Sequence, residues 1–112
     1  MTPVFFRDQS ELRAWFEMYH DSETELLAGF YKVSSKGESP TWSQSVDEAL
    51  CFGWIDGIRK SIDEKSYSIR FTPRKPDSNW SAINIKKVEE LARLGLMREA
   101  GEMIKAMQYD RK

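Results

Sequence analysis

The sequence predicts one α+β domain spanning residues 1–112, with a small, mostly antiparallel sheet covered by about four helices. Three observations carry this expectation. Two capping signatures, Asp8 with Glu11 and Thr41 with Gln44, each stand at the head of an apolar stripe with helical spacing. Two later segments, 54–62 and 66–72, alternate apolar and polar residues with period two around a short polar stretch. Finally, 112 residues holding 4 Trp, 4 Tyr and 6 Phe supply enough large apolar surface for one core, and the chain is too short for two.

Val4, Phe5 and Phe6 make residues 1–6 a short strand that ends at Arg7. A helix follows with Asp8 as its N-cap, and Leu12, Trp15, Phe16 and Tyr19 form the stripe that faces the core. Thr24 to Val33 reads as a largely buried strand, because Phe, Tyr and Val suit a pleated surface and both faces carry apolar groups. A polar loop with Gly37 and Pro40 leads to the second capped helix, in which Trp42, Val46, Ala49 and Leu50 continue to a stop at Gly53. Trp54 to Ile62 and Ser66 to Thr72 then form a hairpin around Asp63-Glu64-Lys65-Ser66, which Pro73 and Pro76 end because proline cannot donate to a ladder. Ser81 caps a third helix, with Trp80 and Ile85 placed as a hydrophobic staple and Ile85, Val88, Leu91 and Ala92 inward as far as Gly95. Met97, Ala100, Ile104 and Met107 give the last helix its inward stripe.

Uninterrupted alternation would place Trp54, Ile58 and Ile62 on one face of the first hairpin strand and Tyr67, Ile69 and Phe71 on one face of the second. Matching those faces pairs Ile62 with Tyr67 and Ile58 with Phe71, and sets Arg59 opposite Arg70. A loop closing one residue earlier would separate the two arginines. Like charges facing each other across a ladder are destabilising unless an anion or a carboxylate lies between them.

Lys plus Arg (17) almost cancels Asp plus Glu (18), so bulk charge does not draw this chain to nucleic acid or to an acidic membrane. The charge is uneven, with Asp8, Glu11, Glu17, Asp21, Glu23 and Glu25 against Arg13 early on, and Arg59, Lys60, Lys65, Arg70, Arg74 and Lys75 against Asp63 and Glu64 in the middle. One Cys and one His exclude an internal disulfide and a zinc site built from N and S ligands, and no metal or cofactor is expected. No apolar run is long enough to span a membrane, and the N-terminus is charged too early for a signal peptide, so a cytoplasmic location without membrane insertion is the expectation.

Cys51 is read as buried packing, since the lone thiol has no histidine on its own helix to hold it as thiolate, and His20, beside Asp21 at a helix end, as a surface residue stabilised by the helix dipole. By alternation Asp56 points to the side of Trp54 and Ile58, where it either acts as a base with a raised pKa or pairs with Lys60. Residues 70–81 are the most suggestive: Arg70 and Arg74 offer forked donors, Thr72 and Ser78 add hydroxyls, and the following helix directs N–H groups toward the same loop. That describes an anion pocket or, with the interleaved rings, a site for single-stranded nucleic acid. The structural alternative is that Arg70 and Arg74 pair with the acidic N-terminal helix. No P-loop, dinucleotide glycine turn, HExxH or Ser/His/Asp ordering is present, so no catalytic residue is assigned.

The string Thr41-Trp-Ser-Gln-Ser-Val-Asp-Glu-Ala-Leu-Cys-Phe-Gly-Trp-Ile-Asp-Gly-Ile-Arg-Lys, followed by Tyr67-Ser-Ile-Arg-Phe-Thr-Pro-Arg-Lys-Pro-Asp-Ser-Asn-Trp-Ser-Ala-Ile-Asn, resembles the YdeI/OmpD-associated family of bacteriocin-protection proteins. The opening Pro-Val-Phe-Phe and Gly29-Phe-Tyr-Lys extend the resemblance over nearly the whole chain. Trp42, Asp47, Glu48, Cys51, Trp54, Asp56, Gly57, Arg59, Arg70, Thr72, Pro73, Arg74, Asn79, Trp80 and Asn84 fit its pattern. The resemblance implies protection from antimicrobial peptides and an association with an outer-membrane porin, without an agreed reaction. Longer relatives continue into a basic helical segment, whereas this sequence stops at Lys112. Where relatives often start the last helix with Thr-Pro, this one has Arg98-Glu99, which weakens the cap and makes that helix a surface for a homodimer.

The expectation is a non-enzymatic binding domain with a basic and aromatic groove for a small anionic ligand or a peptide. Arg59, Arg70, Arg74, Asp56, Thr72, Asn79 and Trp80 are the groove residues. The alternatives are an enzyme acting on a phosphorylated or carboxylated small molecule, with Asp56 as base, and a nucleic-acid accessory protein, which the balanced charge disfavours.

Overall fold

Short-range capping chemistry starts the first three helices where the sequence places them. In the computed structural model, which describes residues 2–33, 37–75 and 80–109, the elements run β1 (Val4–Phe5), α1 (Gln9–Tyr19), β2 (Leu26–Tyr31), α2 (Trp42–Cys51), β3 (Trp54–Ser61), β4 (Ser66–Pro73), α3 (Ala82–Arg93) and α4 (Glu99–Tyr109). Asp8 accepts from the Glu11 N–H at 3.0 Å, but the Glu11 carboxylate reaches back to the Arg7 N–H at 2.7 Å, one residue beyond the expected box. The box at α2 closes both ways, Thr41 Oγ1 with the Gln44 N–H at 3.1 Å and Gln44 Oε1 with the Thr41 N–H at 3.0 Å. Ser81 caps α3 by accepting from the Asn84 N–H at 3.1 Å. Gly53 (φ +76°) and Gly95 (φ +74°) end α2 and α3 in the left-handed region that side chains resist.

The sheet has the order β1-β2-β4-β3, with β1 parallel to β2 and the other pairs antiparallel. This is the small, mostly antiparallel sheet with four helices that the sequence predicts. Strand β2 is shorter than the expected 24–33 because pairing with β4 runs only from Leu26 opposite Phe71 to Tyr31 opposite Ser66. One face of the sheet, with Leu26, Ala28, Phe30, Trp54, Ile69 and Phe71, packs on Leu12 and Phe16 of α1, Val46, Ala49 and Leu50 of α2, and Val88 and Leu91 of α3. At the centre, Phe16 meets Phe52 at 5.5 Å, Trp54 at 5.4 Å and Phe71 at 6.3 Å between ring centroids, contacts worth ~0.5–1.5 kcal/mol each beyond their burial. The stripe of α1 is graded, since Leu12 and Phe16 are fully buried while Trp15 is half-buried and Tyr19 exposed.

The expected hairpin register is corrected. Trp54, Ile55 and Asp56 oppose Pro73, Thr72 and Phe71, and after a bulge Arg59, Lys60 and Ser61 oppose Ile69, Ser68 and Tyr67. Neither Ile58 with Phe71 nor Arg59 with Arg70 forms. Gly57 and Ile58 together face Arg70, and a Cβ on Gly57 would stand 3.0 Å from the Arg70 carbonyl oxygen, so the bulge sits where the side chain is missing. The extra residue swings Ile58 off the face of Trp54, leaving it 65% exposed, and carries Arg59 onto that face instead.

Two long-range ties fix the helices. Glu48, buried on α2, accepts from Arg13 Nη1 at 2.8 Å and Gln9 Nε2 at 2.6 Å, and Arg13 Nη2 donates to the Leu96 carbonyl at 2.8 Å. Helix α4 docks on the end of α2, where the Arg98 N–H donates to the Cys51 carbonyl at 2.9 Å and Gly101 is buried against the same group. Met97, Ala100 and Ile104 are half-buried as their spacing predicts, while the Met107 side chain lies outside the described residues.

Two predictions follow from these contacts. A Cβ at position 101 would fall 2.4 Å from the Cys51 oxygen, and both partners are backbone, so Gly101→Ala should lower stability by about 1–3 kcal/mol in urea unfolding despite alanine's better helix propensity. In the hairpin turn, the Lys65 N–H and the Ser66 hydroxyl hold the Asp63 carboxyl below the usual carboxylate range. Its contribution is therefore present above the unfolded-state pKa and lost as pH falls through the lowered folded one. Denaturation midpoints measured against pH should show an acid decline that is shallower in Asp63→Asn.

Candidate functional site

The arginines expected to converge are distributed over three separate cavities. Arg59 lines a cleft of about 420 Å³ formed by the β2–α2 connection, the first turn of α2 and β4. Arg70 lines a cavity of about 400 Å³ on the opposite face of the sheet with Leu27, Ile58, Lys60 and Ser68. Arg74 lines a third, of about 250 Å³, between the end of α1 and α4. The cause is the bulge, which puts Arg59 on the helix-covered face, whereas Arg70 shares the other face with its neighbour Leu27.

Arg70 is also occupied. Its Nη2 and Nε meet Glu25 Oε2 at 2.7 and 3.0 Å, with a partner at the foot of β2 rather than on the acidic helix. An exposed pair of this kind contributes only ~0–1 kcal/mol to stability, yet it uses the fork that an anion would need. Thr72 is half-buried opposite Ile55, on the Arg70 side. Asn79 lies outside the described residues.

Arg74 and Trp80 do come together, with Arg74 buried and Trp80 half-buried. The Arg74 N–H donates to the Gly53 carbonyl at 2.8 Å, and its guanidinium lies 4.4 Å from the Trp80 ring centroid with the residue 4% exposed. Burial pulls the Arg74 pKa below its ordinary value, and the charge of Asp56 acts against that pull. Lys60, the expected partner of Asp56, has moved to the other face beyond the bulge, pairing in register with Ser68. In the enzymatic alternative, Asp56 as base with the arginines as charge stabilisers, the three arginines would have to act from three different cavities.

Cys51 and His20 have packing roles. Cys51 is fully buried, and burial pushes its thiol up to about 11, an effect that the nearby Arg13 only partly opposes. His20 is half-buried rather than on the surface, its Nδ1 2.6 Å from the Phe16 carbonyl and its ring 5.1 Å from Phe52.

The Arg59 cleft holds residues that the sequence analysis did not single out, Tyr31, Lys32, Trp42 and Tyr67. The Arg59 guanidinium lies 3.8 Å from the Tyr67 centroid, and Tyr67 in turn stacks on buried Phe30 at 5.3 Å with an interplanar angle of 9°. Stacking occupies the face of the guanidinium and leaves its in-plane N–H donors for an oxyanion. No Asp or Glu is among the lining residues, and among the described residues neither Arg59 nor Lys32 has a carboxylate at ion-pairing distance. The one available signal was Gly57, because a glycine within an alternating strand marks a bulge and so a change of face for Arg59. Lys32 and Trp42 are brought in by the chain path of the β2–α2 connection, which no local spacing encodes.

These features define an α+β domain with one cationic, aromatic-walled cleft. A model for a domain of unknown function (DUF8412) matches residues 4–104, and the chain belongs to that family. Comparison with curated proteins gives no match, and comparison with solved structures gives none. Among the described residues no cluster of three or more His, Cys, Asp or Glu is placed to hold a metal, and no helix is long and apolar enough to cross a membrane.

The state of Cys51 is directly measurable. At pH 8 a thiol reagent should leave the folded protein unmodified over the time in which it reacts fully with the urea-unfolded chain; stoichiometric reaction of the folded protein would contradict the assigned burial and pKa.

Proposed function

We propose that this protein is a non-enzymatic binding domain that takes a small anionic ligand in the cleft at Arg59 and Lys32. The observation that carries the reading is the pair of cations lining one concavity with no carboxylate at ion-pairing distance among the described residues. Arg70 with Glu25, Lys87 with Asp47 and Arg98 with Glu17 are ion-paired, whereas Arg59 and Lys32 line one concavity without such a partner among the described residues. The guanidinium is already held against Tyr67, which lowers the ordering cost of binding. Of the residues expected from the sequence, Arg59 stays in the site, while Arg70 and Arg74 face other cavities. The YdeI/OmpD-like string belongs to the same proposal: a protective role would be exerted by binding an anionic group, not by cutting a peptide.

The test is a thermal-shift series with inorganic phosphate, pyrophosphate, small carboxylates and short oligonucleotides. A ligand held by the folded state raises the melting temperature in proportion to ln(1 + [L]/Kd). Phosphate or pyrophosphate should raise it for the wild type and for Arg70→Ala, and the rise should disappear in Arg59→Ala and shrink in Lys32→Ala. Equal loss in Arg59→Ala and Arg70→Ala would contradict the assignment to one cleft. A steep salt dependence with oligonucleotides alone would transfer the domain to the nucleic-acid class.

A further inference from the structure

The walls of the Arg59 cleft carry information about what the anion is attached to. Three aromatic residues border it, and two of them pack against neighbouring groups. Tyr67 has Phe30 on one side and the Arg59 guanidinium over its ring. Tyr31 has Phe5 at 4.9 Å between centroids, and Gly37 lies so close that a Cβ there would fall 2.3 Å from the Tyr31 ring. Those two rings form supports. Trp42 differs: it is the first residue of α2, 50% exposed, and makes no ring contact among the described residues. A half-exposed indole without a ring partner, on the first residue of a capped helix and lining a cationic cleft, can serve as a stacking platform.

We infer that the ligand of this cleft is a nucleoside monophosphate, its base stacked on Trp42 and its phosphate held by Arg59 and Lys32. The inference rests on the anion-binding reading above and specifies its ligand. A phosphate monoester carries close to two negative charges near neutrality, which matches one guanidinium fork and one ammonium better than a single carboxylate does. The void of about 420 Å³ suits a molecule of one ring system and one phosphate, and falls within the ordinary range of small-molecule sites. A polynucleotide is disfavoured by the overall charge of −1, which provides no extended basic track. Stacking is tolerant of base identity because every base presents a π face, so AMP and UMP should both bind.

Isothermal titration and tryptophan fluorescence of the full chain decide the matter, with AMP, UMP, adenosine, inorganic phosphate and an N-acetylated tripeptide ending in phenylalanine as probes. Both nucleotides should bind about tenfold or more tighter than phosphate and than adenosine, and should quench part of the tryptophan emission. Trp42→Ala should bring AMP down to the affinity of phosphate while leaving phosphate itself unchanged, and Trp42→Phe should keep AMP binding but lose the quench. Because Trp42 is exposed, these variants should retain the wild-type circular dichroism spectrum. Equal binding of AMP and phosphate, insensitive to Trp42→Ala, would overturn the nucleotide inference and leave the anion reading intact. Adenosine binding as tightly as AMP would overturn the anion reading together with the inference, as would failure of every probe. Preference for the tripeptide would overturn the inference by assigning the ring and the anion to a peptide terminus.

Discussion

On β3, Gly57 and Ile58 share a single partner residue, Arg70, and this one extra residue decides the side of the sheet taken by every later side chain of the strand. Upstream of it Trp54 enters the core; downstream, Arg59 comes to the helix-covered face and settles on Tyr67. Without the bulge, Ile58 would be directed at the core and Arg59 would share the outer face with Arg70. Instead one guanidinium is committed to Glu25 in the open and the other is presented to a concavity. The close approach of the Arg70 carbonyl to position 57 ties that outcome to the absence of a side chain at Gly57.

The three arginines show how differently one side chain is used within a single hairpin and its exit. Arg70 is an exposed ion-pair partner with little effect on stability. Arg74 is enclosed, laid over Trp80, and serves to join the end of β4 to the start of α3. Arg59 is exposed at its edge and supported at its face, an arrangement that leaves charge and hydrogen-bond donors available while restricting rotation. Interaction with an external anion is compatible only with the last of these, because the first has spent its fork and the second is shielded from solvent.

Helix starts and stops were legible in the sequence because they depend on residues within four positions of one another. Asp8, Thr41, Ser81, Gly53 and Gly95 all act where spacing places them. Apolar periodicity likewise identified Leu12, Phe16, Val88, Leu91, Ile69 and Phe71 as core. Register was not legible past Asp56, since counting by twos assumes that every residue has its own partner. The partners of charged groups were hidden for another reason: Arg70 finds Glu25 across β2 and Arg13 finds Glu48 across two helices, distances that only the tertiary fold sets. The cleft belongs to the same class, since Lys32, Trp42 and Tyr67 stand far apart in the sequence and line one cavity only in the fold.

Strand β2 lies next to β4 and not next to β3, although α2 and β3 both come between them in the chain. The hairpin closes over a handful of residues, whereas Leu26 must find Phe71 after a wide loop has been drawn shut. Loop-closure entropy therefore separates assembly into a local event at β3–β4 and a later, costlier capture of β2 with β1 alongside. The cleft, which needs Tyr31 and Lys32 from β2 and its exit beside Tyr67 of β4, is completed only at that second stage. A half-assembled chain thus carries the hairpin arginines without the concavity, which becomes a property of the finished sheet alone.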